Sequence, residues 1–206
     1  MKVLLINGSP KANGCTYTAL DTIAAELIAA GLETEIFHIG AAPIGGCRGC
    51  GACKAAGACI FDDTVNTCAA KVREADAVIF GSPVHYAGMS GNMKSFLDRL
   101  FYSASDALRF KPAAICCSAR RAGTTATLDQ LVKYPMINQM PLVSASYWPM
   151  VHGHTPDEVV QDLEGMEIMR QLGRNMAWTL HCIAAGKAAG HDHPAVTPRP
   201  IYNYIR

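Results

Sequence analysis

The sequence predicts a doubly wound α/β fold, and three observations predict it. Apolar, β-rich runs alternate with segments of helical composition along all 206 residues. Two of those runs, Val3-Leu4-Leu5-Ile6 and Ala77-Val78-Ile79-Phe80, are continuously apolar, as parallel strands covered on both faces must be. The first run breaks at Gly8 and opens a helix near Thr16, the start of a βαβ unit. Strands are expected at Lys2–Asn7, Thr34–Ile39, Ala77–Ser82, Ala113–Ser118 and Leu142–Tyr147. The first helix, Thr16–Ala30, repeats Leu20, Ile23, Ala24, Leu27 and Ile28 at helical spacing and stops at Gly31, where a left-handed residue ends a helix at no steric cost. Asp63 or Thr64 caps a second helix running through Arg73, Ser90 caps a third running to about Tyr102, and Pro156–Ala185 supplies the last.

Five strands in this rhythm fit a flavodoxin-like parallel sheet of order 2-1-3-4-5. Ligands of such sheets sit beyond the carboxyl ends of the strands, at the switch point between strands one and three. The loops after Asn7, Ser82 and Ser118 should therefore meet at one site. A single domain over residues 1–206 is expected from the length. Half the residues are hydrophobic, 17% are charged and the net charge is +1, which leaves no basic face for nucleic acid and no polybasic membrane anchor. The chain runs from its first residues into a strand without a signal-peptide pattern, and no apolar run reaches membrane-spanning length, so a cytoplasmic protein acting on small molecules is expected. Nine cysteines in such a protein point to free thiols, redox chemistry or metal ligation rather than disulfides.

The segment Gly8-Ser9-Pro10-Lys11-Ala12-Asn13-Gly14-Cys15-Thr16 has the makings of a phosphate cradle. A strand-to-helix turn leaves backbone N–H groups unpaired at the positive end of the helix dipole. Ser9 and Thr16 add hydroxyls, Gly8 and Gly14 allow close approach, and Lys11 adds charge; Ser9, Lys11, Asn13, Gly14, Cys15 and Thr16 are the candidate contacts. The segment lacks both the Gly-Lys-Ser/Thr ending of a nucleotide P-loop and the three glycines of a dinucleotide fingerprint, so FMN suits it better than ATP or NAD. The plainer alternative is a tight turn that binds nothing. Ser118-Ala119-Arg120-Arg121-Ala122-Gly123 forms a second anion-friendly loop, in which Ser118, Arg120, Arg121 and Gly123 are candidates for a flavin carbonyl edge or a nucleotide phosphate, or else a solvated pair of arginines. Cys116 and Cys117 read as core.

Cys47, Cys50, Cys53 and Cys59 crowd into 13 residues of a Gly-rich loop between strand two and its helix. Four such thiolates can wrap a [4Fe–4S] cluster. The alternatives are redox-active thiols, an ordered subunit contact, or zinc, which more often takes two separated CxxC pairs. His152-Gly153-His154 and His191-Asp192-His193 lack matching partner ligands and read as loop residues. Tyr147-Trp148 suits either a flavin cover or an oligomer contact.

Gly8-Ser9-Pro10-Lys11, Gly81-Ser82-Pro83-Val84-His85-Tyr86, Gly91-Asn92-Met93-Lys94-Ser95-Phe96-Leu97-Asp98-Arg99 and Leu172-Gly173-Arg174-Asn175-Met176-Ala177-Trp178 together resemble the NADPH-dependent FMN reductase family, and within it the iron–sulfur flavoproteins. The resemblance implies bound FMN in a homodimer or homotetramer. It implies cofactor contacts at Pro83, Val84, His85, Tyr86 and Gly88, although the family often has Tyr where this chain has His85. It further implies an oxidoreductase passing electrons from NAD(P)H through FMN to a quinone, a nitro or azo compound, or a redox protein. The alternative within the same resemblance is an electron carrier fed by ferredoxin, with the cluster on the four cysteines. Reactive chemistry would belong to the flavin, with His85 and Arg120 as the candidates for assistance.

Overall fold

The computed structural model describes residues 1–197 and 200; the expected domain of 1–206 also takes in 198, 199 and 201–206, which lie outside the described residues. Its strands are β1 (Lys2–Asn7), β2 (Glu33–His38), β3 (Ala77–His85), β4 (Gly88–Met89), β5 (Ala113–Ala119) and β6 (Met150–His152). Its helices are α1 (Cys15–Ala29), α2 (Cys53–Ala56), α3 (Thr64–Glu74), α4 (Gly91–Ser103), α5 (Ser105–Leu108), α6 (Thr124–Ile137), α7 (Pro156–Val159) and α8 (Leu163–Ala188). The sheet runs β2-β1-β3-β5-β6, all parallel, with β4 attached antiparallel to β3. This is the flavodoxin-like order, with the two-stranded β3–β4 hairpin added. No helix among the described residues is long and apolar enough to cross a membrane.

Side chains alternate across a strand, so a strand buried on both faces must be apolar throughout. Val3 and Leu5 pack against α1 and α8 through Ile23, Leu27, Met169, Leu172 and Met176. Leu4 and Ile6 pack on the other face against α3 and α4 through Val65, Val72, Phe96 and Leu100. Truncating a fully buried Phe96 to alanine would cost about 3–5 kcal/mol at such a position. Helix ends follow the expected chemistry: Asp63 caps α3 by accepting from the Val65 N–H, Ser90 caps α4 by accepting from the Met93 N–H, and α1 is followed by Gly31 at φ 80°.

Two expectations need correction. The fifth strand lies at Met150–His152 rather than Leu142–Tyr147. Leu142 makes one isolated bridge to Ala113, and pairing resumes only at Cys117 with Met150. Four steps along β5 thus match eight along its neighbour, and the surplus loops outward between Pro141 and Pro149, leaving Tyr147 and Trp148 exposed. The helix expected over Pro156–Ala185 is two helices, because Asp162 turns its carboxylate back to accept from the Gly165 N–H and starts α8 afresh.

Candidate functional site

Strand β1 delivers the chain to the cradle at its carboxyl end. Gly8 N–H donates to Gly81 O at 2.8 Å, and a Cβ at Gly8 would lie 2.6 Å from Met93 Sδ and 2.9 Å from Gly81 O. Only glycine fits there. Buried Asn7 shapes the turn from within: its Oδ1 accepts from Ser9 N–H at 3.0 Å and its Nδ2 donates to Ala12 O at 3.0 Å. Ser9 Oγ accepts from Lys11 N–H at 3.1 Å, which leaves its own hydrogen to donate, and a His38 ring nitrogen lies 2.8 Å from Ser9 O. Helix α1 then begins at Cys15, preceded at the cap position by Gly14, which has no side chain to cap it, and the first turn carries no acidic residue. Its leading N–H groups and dipole are thereby offered to an outside anion. Cys15 sits in this turn with Sγ 3.7 Å from Gly153 O, and burial pushes its thiol up, so it adds no negative charge beside the cradle.

The end of β5 reaches the same place. Buried Thr16 and Ser118 share a hydroxyl–hydroxyl hydrogen bond of 2.8 Å, which consumes one of the two hydrogens and leaves the other. Strand β3 continues past Ser82 through Pro83 and Val84 to His85, then reverses through Tyr86 and Ala87 into Gly88. Tyr86 holds φ 56° and is fully exposed at the tip, a conformation that costs a non-glycine residue roughly 1–2 kcal/mol. The hairpin is pinned on both sides. Ser90 Oγ donates to Gly8 O at 2.8 Å, Ser90 N–H donates to Ser82 Oγ at 3.1 Å, and Met89 N–H donates to Gln130 Oε1 at 3.1 Å. Gly123, at φ 91°, comes so close that a Cβ there would lie 2.8 Å from Tyr86 O.

The structure therefore brings the three expected loops together at the carboxyl ends of β1, β3 and β5. Ser9, Gly14, Thr16 and Ser118 are buried; Pro83, Val84, Gly88, Cys15 and Gly123 are half-buried; Lys11, Asn13, His85, Tyr86, Arg120 and Arg121 are exposed. The uncapped start of α1, with the Thr16 and Ser118 hydroxyls at its first turn, fits an FMN phosphate, while Gly8 lets the turn pack closely on Met93 and Gly81.

A separate cavity of about 210 Å³ lies between the cysteine loop and α4, and Cys47, Cys50, Cys53 and Cys59 all line it. Its loop contains the short helix α2 and three left-handed glycines, Gly49, Gly51 and Gly57, which let the backbone turn tightly. Asn92 of α4 ties the loop down, accepting from Ile44 N–H and donating to Ala42 O. Arg99, with its side chain only 1% exposed, passes beneath it. All four thiols are free. Among the described residues no three His, Cys, Asp or Glu side chains gather round one ion position, and what the loop offers a cluster is its donor set, four cysteines lining one cavity.

Sequence reasoning missed Asn7, His38, Asn92, Arg99 and Gln130. An arginine on the buried stripe of a helix, beside Phe96 and Leu100, was the available signal, since a charge there demands a partner. Of the histidines set aside as loop residues, His152 is half-buried with Nδ1 3.6 Å from Asp162.

A family model for NADPH-dependent FMN reductase matches residues 1–155. An iron–sulfur flavoprotein from Methanocaldococcus jannaschii is 32% identical over 189 residues, covering 86% of this chain and 96% of that one. Another from Archaeoglobus fulgidus is 30% identical over 175 residues, covering 83% and 86%. Among solved structures, RosB with a bound 8-demethyl-8-formylriboflavin-5'-phosphate intermediate superposes with a TM-score of 0.71 at 15% identity, over 100% of this chain and 92% of that one. FerB, a flavoenzyme NAD(P)H:(acceptor) oxidoreductase from Paracoccus denitrificans, gives 0.65 at 17% identity over 88% and 97%. These two likenesses are of fold. The parallel sheet, the three loops gathered at its carboxyl end and the match over three quarters of the sequence lead to one conclusion: this chain belongs to the NADPH-dependent FMN reductase family, with iron–sulfur flavoproteins among its relatives.

Proposed function

We propose that this chain is an FMN-dependent oxidoreductase that takes electrons from NAD(P)H and passes them to a second acceptor. The observation that carries this reading is the uncapped N-terminus of α1 with the Thr16 and Ser118 hydroxyls at its first turn. Bound FMN supplies the hydride and electron chemistry. The chain's own residues bind and orient it. Ser9 Oγ–H and the spare hydrogen of the Thr16–Ser118 pair donate to phosphate oxygens, the leading amides of α1 complete the anion site, and Lys11 adds charge from the rim. Pro83–Gly88 offer backbone groups to the ring edge. Arg120 and Arg121, exposed beyond β5, are placed to receive the phosphates of the nicotinamide donor, and His85 lies at the exposed end of β3 for proton exchange with solvent. All nine cysteines are free thiols, which fits a reducing, cytoplasmic setting. A homodimer or homotetramer remains part of this reading.

A second reading is favoured by the four thiols that share one cavity and by the name of the relatives: a [4Fe–4S] cluster on Cys47, Cys50, Cys53 and Cys59 would pass electrons singly, with ferredoxin as the donor. Purification without oxygen separates the two. Yellow protein bleached by NAD(P)H supports the reductase. Brown protein with four irons per chain that NAD(P)H leaves unbleached supports the carrier, and FMN-loaded protein bleached by neither donor overturns both.

A further inference from the structure

Arg99 is a buried cation whose every edge is occupied. Its Nη1 and Nη2 donate to the two carboxylate oxygens of Asp63 at 2.7 and 2.8 Å, a forked pair. The same nitrogens reach Gly45 O at 3.3 Å and Phe61 O at 3.4 Å, and the guanidinium lies 4.8 Å from the centre of the Phe61 ring. That leaves Nε, which donates to Cys59 Sγ at 3.2 Å. Gly45 and Phe61 bracket the cysteine segment, and Asp63 in turn caps α3. One side chain thus fastens both ends of the loop to α4. A neutral thiol is a weak acceptor, whereas a thiolate or a metal-bound sulfur is a strong one. Asp63 and the two loop carbonyls take the Nη hydrogens, so the acceptor left to the buried Nε–H is a sulfur of the cysteine cavity.

We propose that Arg99 is the positioning residue of the four-cysteine centre: through Nε–H to Cys59 Sγ it raises the reduction potential of the group those cysteines hold, while Asp63 keeps the guanidinium aimed. The assignment rests on the cluster reading above. Hydrogen bonds and positive charge at ligand sulfur favour the electron-rich, reduced state of an iron–sulfur centre. Removing Arg99 should therefore make the centre harder to reduce.

The test is anaerobic reconstitution with ferrous iron and sulfide, followed by a dithionite redox titration read by electron paramagnetic resonance, each electron gained coming from dithionite. Wild type should hold about four irons per chain. Arg99→Gln should keep its FMN and show an oxidised-to-reduced ratio about tenfold higher at the wild-type midpoint, a downward shift of about 59 mV for one electron. Arg99→Lys, which keeps charge but loses the planar fork, should shift the midpoint in the same direction by less. A fully loaded Arg99→Gln protein with the wild-type midpoint overturns the assignment and leaves the cluster standing. Wild type that takes up no iron overturns the cluster reading and the assignment together. Should Arg99→Gln fail to load, Arg99→Lys decides: a lowered midpoint supports the assignment, and an unchanged one overturns it.

Discussion

Gly123→Ala probes the contact on which the whole site depends, because Gly123 is where the loop after β5 meets the hairpin after β3. Two independent costs arise. The residue holds φ 91°, and a left-handed conformation costs an L-residue roughly 1–2 kcal/mol. Its new Cβ would lie 2.8 Å from Tyr86 O, 2.9 Å from Val84 Cγ1 and 3.0 Å from Ala87 Cα, and overpacking of that kind typically costs about 1–3 kcal/mol. Two of the three atoms are backbone, so no side-chain rotation relieves the contact and the hairpin itself must move. The sum is about 2–5 kcal/mol. If only about 1.4 kcal/mol of it falls on the FMN-binding geometry, the Kd for FMN rises tenfold. Flavin fluorescence quenching would measure the Kd and urea unfolding the stability. Gly31→Ala is the control: it has φ 80° with nothing within 4 Å, so it should lose stability through conformation alone and bind FMN normally. Wild-type FMN affinity in the Gly123→Ala protein would refute the claim that the two loops build one site.

Other outcomes follow from the same geometry. Ser9→Ala with Thr16→Ala removes two donors and leaves buried Ser118 without its partner, so FMN should be lost while stability falls by only about 1–3 kcal/mol; retained FMN affinity would count against the hydroxyl contacts. On the cluster reading, Cys50→Ala should abolish any iron uptake and leave FMN content near wild type, since the cysteine cavity is lined by none of the residues proposed to hold the phosphate; metal analysis beside flavin extraction checks it. Tyr134 is pushed up to about 12, first by burial and then by its hydrogen bond to Asp98. The folded state therefore holds a proton that the unfolded chain releases near pH 10, so its contribution is full below about pH 10 and fades as pH rises towards 12. Tyr134→Phe should flatten that part of the alkaline unfolding curve.

Strands buried on both faces and capped helix starts were legible because their causes are local. Val3–Ile6 and Ala77–Phe80 carry their burial in composition, and Asp63 and Ser90 sit where a first-turn N–H needs an acceptor. The edge strand was not legible. Leu142–Tyr147 has strand composition but lies between two prolines beside a sheet edge, and Met150–His152 is too short to show a period. In the site, the strand-to-helix turn at Gly8–Thr16 was legible from its glycines and hydroxyls. Gly123 also meets the hairpin closely, a packing contact that its place in an anion-friendly loop does not reveal. Arg99 stayed hidden because its carboxylate partner is 36 residues away in sequence, a distance only the packing of α4 against α3 closes.

The measurement that tests the central claim most directly is the affinity of the flavin-free protein for FMN against riboflavin, which has the same ring and no phosphate. If Gly8–Thr16 is a phosphate cradle, FMN should bind at least about 100-fold tighter, the worth of roughly two charge-assisted hydrogen bonds. Equal affinity for the two would contradict it.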